Sequence, residues 1–229
     1  MNRAAVRREH DELVASLRAA SGVAVPERRR IAKAWARAHE ALPPEDVLEM
    51  VDSLFASQSY EEKTFGALLV DYHGPARLAT GTDRIDVWLS RLAGWAEVDS
   101  LCQNVFQADQ LLADWRAWKT LIARLSRDPN VNKRRASLVL LTGPVHYSDD
   151  ARLSELAFAT VDTLSAERDP LITKAVSWLL RSLIENHRTA VVHNLDEHES
   201  ELPRIAVRET RVKLETGTKS GRRRQSPSS

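Results

Sequence analysis

Residues 94–101 read Gly-Trp-Ala-Glu-Val-Asp-Ser-Leu and place an aromatic ring and a carboxylate in the middle of an apolar helical run. In a helix, Trp95 and Asp99 are four residues apart, so both side chains leave the same face about one turn apart. Such a pair is typical of a half-buried tryptophan beside a capping or solvated acid. It is also typical of a functional site, and the flanking sequence has to decide between the two.

Apolar residues recur with a helical period on both sides of this stretch. Alternation with a period of two is never sustained, and only eight glycines are available for turns. Pro26 opens a helix with one apolar stripe at Ile31, Ala34, Trp35 and Ala38. Ser59-Tyr60-Glu61-Glu62 has the pattern of a capping box that starts another helix. The sequence predicts an all-α fold.

Helix spacing predicts how these helices are arranged. Ten or more helices of about 10 to 18 residues, joined by short turns, suit helical hairpins stacked in series better than a four-helix bundle. Asp99 and Arg135 are 36 residues apart, and Arg135 and Trp178 are 43 apart, near the period of about 40 to 47 residues of HEAT-type repeats. We therefore predict an α-solenoid in which Trp95, Asp99, Arg135 and Trp178 line one concave groove.

Composition bounds the domain organisation. A chain of 229 residues with 43% hydrophobic content can bury a sizeable core. We predict a single domain over residues 1–215 and a disordered basic tail over residues 216–229, which has almost no apolar residue to bury. No run approaches the roughly 18 apolar residues that would span a bilayer, and the single cysteine, Cys102, fits a reducing compartment. We expect a cytoplasmic protein without membrane contact.

The net charge of +1 conceals a local excess of positive charge over residues 114–135, where seven basic residues face two acidic ones. An excess of this kind is what a polyanion-binding face needs, although charge runs are also typical of solvated helix faces. Nucleotide-binding loops and the hydrolase elbow lack their glycine motifs. None of the seven histidines has the acid three residues before it that a bundle di-metal site requires. We expect neither a metal nor a cofactor.

Three ordered blocks carry a family resemblance: Trp95 to Leu101, Lys133 to Leu138, and Ile172 to Arg181. Together with Gly22 to Arg29 and Ser59 to Glu62, they resemble the DNA alkylation repair (AlkD-like) family of HEAT-like-repeat DNA glycosylases. The resemblance covers about residues 12–210, and the block from Ile172 to Arg181 is its most specific part.

The resemblance implies an enzyme of base excision repair that removes positively charged N3- and N7-alkylated purines from double-stranded DNA. Asp99 would be the catalytic carboxylate, and Trp95 and Trp178 would be aromatic walls against the lesion's deoxyribose and backbone. Five basic residues would bind DNA, with Arg135 on a phosphate: Arg135, Arg134, Lys133, Lys174 and Arg181. It further implies a monomer that works without a cofactor or metal and is associated with the nucleoid.

The sequence departs from the family pattern at two places. The aromatic residue that normally precedes the Gly22 block is absent between Leu17 and Gly22, so one wall of the lesion site is either missing or supplied by Trp35. Asn132 stands where members often carry a tryptophan. Both departures bear on lesion range and rate, while the residues assigned to catalysis are retained.

A rival hypothesis is a non-catalytic HEAT-type module that binds DNA or a protein partner on the same face. Repeat proteins are mainly binders, and a fold alone does not establish an activity. The combination of Asp99, Trp95 and Trp178 favours the enzyme. Release of a free alkylated base separates the two hypotheses.

Overall fold

The structure, a computed structural model, describes residues 8, 11–15, 22, 24–103 and 105–221. These residues form helices and turns with no β-strand among them, so the all-α prediction is confirmed. No helix in this part of the chain is long and apolar enough to cross a membrane. The chain divides into two compact units, Met1–Phe106 and Gln107–Ser229. The single domain stays a prediction, and residues 222–229 of the predicted tail lie outside the described residues.

The helices of the first unit pack around one central helix. Its helices are α1 (Val25–Ala38), α2 (Pro44–Ala56), α3 (Tyr60–Tyr72), α4 (Gly74–Ala79), α5 (Thr82–Leu89) and α6 (Gly94–Cys102). Helix α3 packs against α1, α2 and α6, and Phe65, Leu69 and Val70 on it are completely buried. A helix with neighbours on several sides buries residues around much of its circumference. The position of α6 therefore depends on its packing against α3.

The buried face of α1 differs from the predicted stripe. Arg28, Ala32 and Ala36 are buried. Of the predicted stripe, Ile31 and Trp35 are half-buried, but Ala34 and Ala38 are exposed, so the prediction is wrong for these two alanines. The small side chains of Ala32 and Ala36 let α1 lie close to α3, and the Arg28 guanidinium donates a 2.8 Å hydrogen bond to the Thr64 hydroxyl of α3. The hydrogen bond from Arg28 and the close approach at Ala32 and Ala36 therefore decide which face of α1 packs against α3, and the larger apolar side chains do not.

The predicted start of α3 is confirmed, but its cap is only partly the expected one. The Ser59 hydroxyl accepts a hydrogen bond from the Glu62 backbone N–H at 3.3 Å, which is one arm of the capping box. The Ser59 backbone N–H donates to the Ser57 hydroxyl at 3.0 Å. A neighbouring serine thus occupies the donor that the other arm of the box uses.

The second unit contains α7 (Ala108–Ala113), α8 (Trp115–Leu125), α9 (Val131–Tyr147), α10 (Ala151–Leu164), α11 (Pro170–His198) and α12 (Arg204–Thr216). Helix α9 packs against α7, α8, α10 and α11, and α12 packs against α11. Ala136 to Val145 are buried without interruption, because α9 has neighbours on all these sides. Helices α7 and α8 are separated by Asp114, whose carboxylate accepts a hydrogen bond from the Ala117 N–H at 3.4 Å and caps α8.

Helix α11 consists of two helical segments that meet at a kink. His187 departs from helical geometry with φ −127° and ψ 33°. Its Nε2 lies 3.0 Å from the Ser148 carbonyl oxygen, and the Asn186 amide donates to the His146 carbonyl oxygen at 2.6 Å. The bend is thereby fixed to the end of α9.

Asp71, on α3, is a half-buried acid. Burial raises the pKa of its carboxyl, and the positive charges of Arg77 and Arg29 oppose this shift. Native Asp71 therefore binds its proton more tightly than unfolded Asp71, and stability falls as pH rises through the raised pKa. We expect Asp71→Asn to raise the free energy of unfolding at pH 7 by up to about 1 kcal/mol.

Urea denaturation of both proteins at several pH values measures this difference. The advantage of Asp71→Asn should disappear below the ordinary aspartate pKa of 3.8, where both states of the wild-type protein are protonated. A less stable variant at pH 7 would show that attraction to Arg77 and Arg29 outweighs the cost of burial.

Candidate functional site

The start of α6 is a tight turn centred on Gly94. Gly94 has φ +77°, in the left-handed region that glycine adopts without strain. Ala93, before it, is extended and has no side chain that could cap the helix. The Ala93 N–H instead donates a 2.7 Å hydrogen bond to Glu97 Oε2, one turn into α6. This turn and its hydrogen bond fix where Trp95 leaves the backbone.

Trp95 and Asp99 lie on the side of α6 that faces away from the core. Trp95 is 60% exposed, which is unusual for the largest apolar side chain, and Asp99 is half-buried. The apolar residues of α6 that are buried in the core are Val98, Leu101 and Cys102. The predicted i, i+4 relation is therefore realised in a helix. An accessible aromatic ring beside a carboxylate on one helix face suits a cationic group.

A buried ion pair anchors α6 to α3. Lys63 Nζ lies 3.1 Å from Glu97 Oε2, and the two side chains are only 5% and 9% exposed. The sequence alone does not indicate this pair, because its partners are 34 residues apart. The one local sign that Glu97 matters is its place between Trp95 and Asp99.

Trp178 lies on α11 in the second unit and is half-buried. The preceding residue, Ser177, is fully buried, and its hydroxyl donates a 2.6 Å hydrogen bond to Glu209 Oε2 on α12. Arg181 Nε lies 3.5 Å from the same carboxylate oxygen. Burial lowers the pKa of Arg181, and the negative charge of Glu209 opposes that shift. The backbone around Trp178 is thus held by polar contacts to α12.

The basic block at the start of α9 makes contacts within the protein. Arg135 is buried and donates a 2.6 Å hydrogen bond to the Leu171 carbonyl oxygen. Lys133 is also buried, with Nζ 3.8 Å from Asp128 Oδ2. Arg134 Nε lies 2.6 Å from Glu167 Oε1. These contacts connect α9 to the preceding turn and to the segment that leads into α11.

Lys174 differs from these three residues because its side chain is exposed. It precedes Trp178 by four residues on α11, so both side chains leave one face of that helix. The roles of Lys133, Arg134, Arg135, Lys174 and Arg181 in DNA binding stay predictions. The common groove for the four residues from both units also stays a prediction.

No group of three or more His, Cys, Asp or Glu side chains in the described part of the chain converges in a way that could hold a metal ion. Cys102 is a buried free thiol at the end of α6. The chemistry that these units offer comes from carboxylate, aromatic and basic side chains.

Comparison with known proteins identifies the family. The profile of the family described as "DNA alkylation repair enzyme" matches residues 4–214. No curated protein matches the chain. A solved structure described as "Predicted DNA alkylation repair enzyme from Enterococcus faecalis" matches with a TM-score of 0.66 and 17% identity, over 87% of this chain and 92% of that one. That likeness shows a shared fold, and the profile spans nearly all of the sequence. The chain therefore belongs to the DNA alkylation repair enzyme family.

Proposed function

We propose that the protein is a DNA glycosylase that excises positively charged N3- and N7-alkylated purines from duplex DNA. The observation that carries this proposal is the pair on α6, an exposed Trp95 one helical turn from Asp99, in a chain of this repair family. The reaction is hydrolysis of the N-glycosidic bond. Its products are a free alkylated purine and an abasic site.

The residue types suit the charge changes of this reaction. Alkylation at N3 or N7 makes the purine a cation, which departs with the electron pair of the C1′–N9 bond without first being protonated. Positive charge then develops on the deoxyribose, and a nearby carboxylate stabilises it. At about 4 Å and an effective dielectric constant of about 20, that attraction is on the order of 4 kcal/mol. If only the transition state gains it, the rate rises roughly a thousandfold.

Asp99 is the carboxylate that we assign to this role, and it would also orient the water that attacks C1′. The water adds its oxygen to C1′ and releases its proton to the carboxylate or to solvent. Trp95, exposed on the same face, would present its ring to the cationic sugar, where cation–π attraction contributes about 0.5–2 kcal/mol. Trp178 would act in the same way from α11.

Lys174 is the best placed of the basic residues to contact DNA phosphate, because it is exposed and shares a helix face with Trp178. Arg135 would contribute to DNA binding mainly by holding the segment that leads into α11, since one of its donors is bonded to the Leu171 carbonyl oxygen. Phosphate contacts position a protein on the duplex without reading its bases.

Comparing Lys174→Ala with Arg135→Ala tests this division. We expect Lys174→Ala to weaken binding to damaged and undamaged duplex equally and to lower the salt slope by about 1. Arg135→Ala should also weaken both equally, and in addition lower thermal stability, because it removes a hydrogen bond from a charged, buried donor. Anisotropy titrations at several salt concentrations, with melting curves of both variants, measure these effects. A loss confined to damaged DNA would place the residue at the lesion.

A non-catalytic DNA-binding module is the second candidate. The exposed Lys174 favours it, because a phosphate contact holds a protein on the duplex without any chemistry on the bases. Incubating the protein with N-methylated duplex DNA separates the two candidates. A glycosylase releases free 3-methyladenine or 7-methylguanine, whereas a binding module leaves the DNA intact.

A further inference from the structure

Glu97 makes two contacts in the first unit through one oxygen atom. Its Oε2 accepts a 2.7 Å hydrogen bond from the Ala93 N–H at the start of α6. The same oxygen lies 3.1 Å from Lys63 Nζ on α3. The Lys63 and Glu97 side chains are 5% and 9% exposed, so water does not substitute for either contact.

The position of Glu97 on the helix gives these contacts a second consequence. Successive residues are turned by about 100°, so Trp95 and Asp99 point within about 40° of each other and Glu97 points to the other side of α6. An anchor opposite the pair fixes the rotation of α6 about its axis. It also fixes the start of the helix, where Ala93 has no capping side chain of its own.

We propose that the Lys63–Glu97 ion pair positions Trp95 and Asp99 for excision, an inference that rests on the proposed function. Apolar residues could fill the same buried space with similar stability, but they would leave α6 free to turn or slide. An ion pair with a single hydrogen-bonded geometry sets one orientation. Lys63 and Glu97 touch no substrate in this account and are positioning residues.

The test compares three variants by single-turnover excision of 7-methylguanine at saturating enzyme, at a temperature where all are folded. Glu97→Ala removes both contacts, and excision should fall about 10- to 100-fold, as expected for a small displacement of reacting groups. Glu97→Gln leaves the Lys63 charge unpaired and so lowers stability, but it retains an oxygen that can accept both hydrogen bonds, and excision by the folded molecules should stay within about threefold of wild type. Duplex affinity should not change in either variant.

Leu164→Ala is the control for lost stability. Leu164 is 1% exposed on α10, in the other unit, so its truncation lowers stability without touching α6. Its excision rate among folded molecules should equal that of wild type. If Leu164→Ala loses as much rate as Glu97→Ala, or if Glu97→Ala excises at the wild-type rate, the positioning role is refuted.

Hydrogen exchange of the free protein distinguishes failure of this inference from failure of the proposed function. Relative to the other amides of the first unit, the amides of residues 93–99 should exchange faster in Glu97→Ala than in wild type or in Glu97→Gln. If wild type releases no base but the exchange result holds, the glycosylase assignment fails and the anchoring of α6 stands. Unchanged exchange in Glu97→Ala would overturn the anchoring itself.

Discussion

Replacing Asp99 with Asn is expected to reduce single-turnover excision of a cationic purine by about 10²- to 10³-fold, the usual loss when one preorganised electrostatic group is removed. Asn keeps the shape and much of the hydrogen-bonding capacity of Asp but has no charge. The fold should survive, because Asp99 is half-buried on the side of α6 away from the core. Affinity for duplex should persist or rise slightly, since a negative charge near phosphate is lost.

Asp83→Asn is the matched control for Asp99→Asn. Asp83 is an exposed acid in the first turn of α5, in the same unit, and its replacement changes the charge by the same amount. Its excision rate should match wild type. If Asp99 only braced its helix, Asn would change stability by about 1 kcal/mol and leave turnover alone. Equal rates for Asp99→Asn and wild type would contradict the catalytic assignment.

Lys63→Met should be strongly destabilising. It leaves Glu97 buried without its counter-charge, and breaking a buried ion pair on one side costs about 3–5 kcal/mol of unfolding free energy. Replacing both partners, as Lys63→Met with Glu97→Gln, should recover most of that loss, because the uncompensated charge is gone. Met also restores much of the volume of the lysine side chain.

Urea denaturation followed by far-UV circular dichroism measures these changes. Lys33→Met is the control, because Lys33 is exposed on α1 and its replacement should alter stability by less than about 0.5 kcal/mol. A cost below about 1 kcal/mol for Lys63→Met, or a double variant as unstable as the single one, would show that the pair is not the buried, mutually dependent unit described above.

Much of the secondary structure could be predicted because its signals are local. Asp150 and Asp169 each precede a helix, and each carboxylate accepts a hydrogen bond from the backbone N–H two residues later, at 2.9 Å and 2.8 Å. The Pro43-Pro44 step likewise begins α2. A cap needs only neighbouring residues, so its pattern is visible in the sequence.

Features that depend on distant partners could not be predicted in the same way. At the kink of α11, the His187 ring contacts the carbonyl oxygen of Ser148, 39 residues away. The buried state of Arg135 depends on the Leu171 carbonyl oxygen, 36 residues away. The sequence shows that a run of residues is basic but does not show what each residue contacts. Basic residues that bind within the protein therefore cannot be told from basic residues that bind DNA before the fold is known.

The candidate site was only partly accessible from the sequence. Helical spacing predicted that Trp95 and Asp99 share a face, and the structure adds that the ring is exposed while the apolar residues Val98, Leu101 and Cys102 of α6 are buried. The chemical roles came from the family resemblance, because spacing alone does not separate a catalytic carboxylate from a solvated one. The Lys63–Glu97 ion pair could not be predicted from the sequence, because the two residues meet only in the folded protein.

The most direct test of the central claim uses two duplexes that differ at one base. One carries 7-methylguanine, a cationic purine, and the other carries hypoxanthine, a neutral purine. With wild-type protein in excess, we predict free 7-methylguanine and an equal amount of abasic sites from the first duplex, and no release from the second. Absence of 7-methylguanine release, or equal release of both bases, would contradict the proposal that the protein excises cationic alkylated purines.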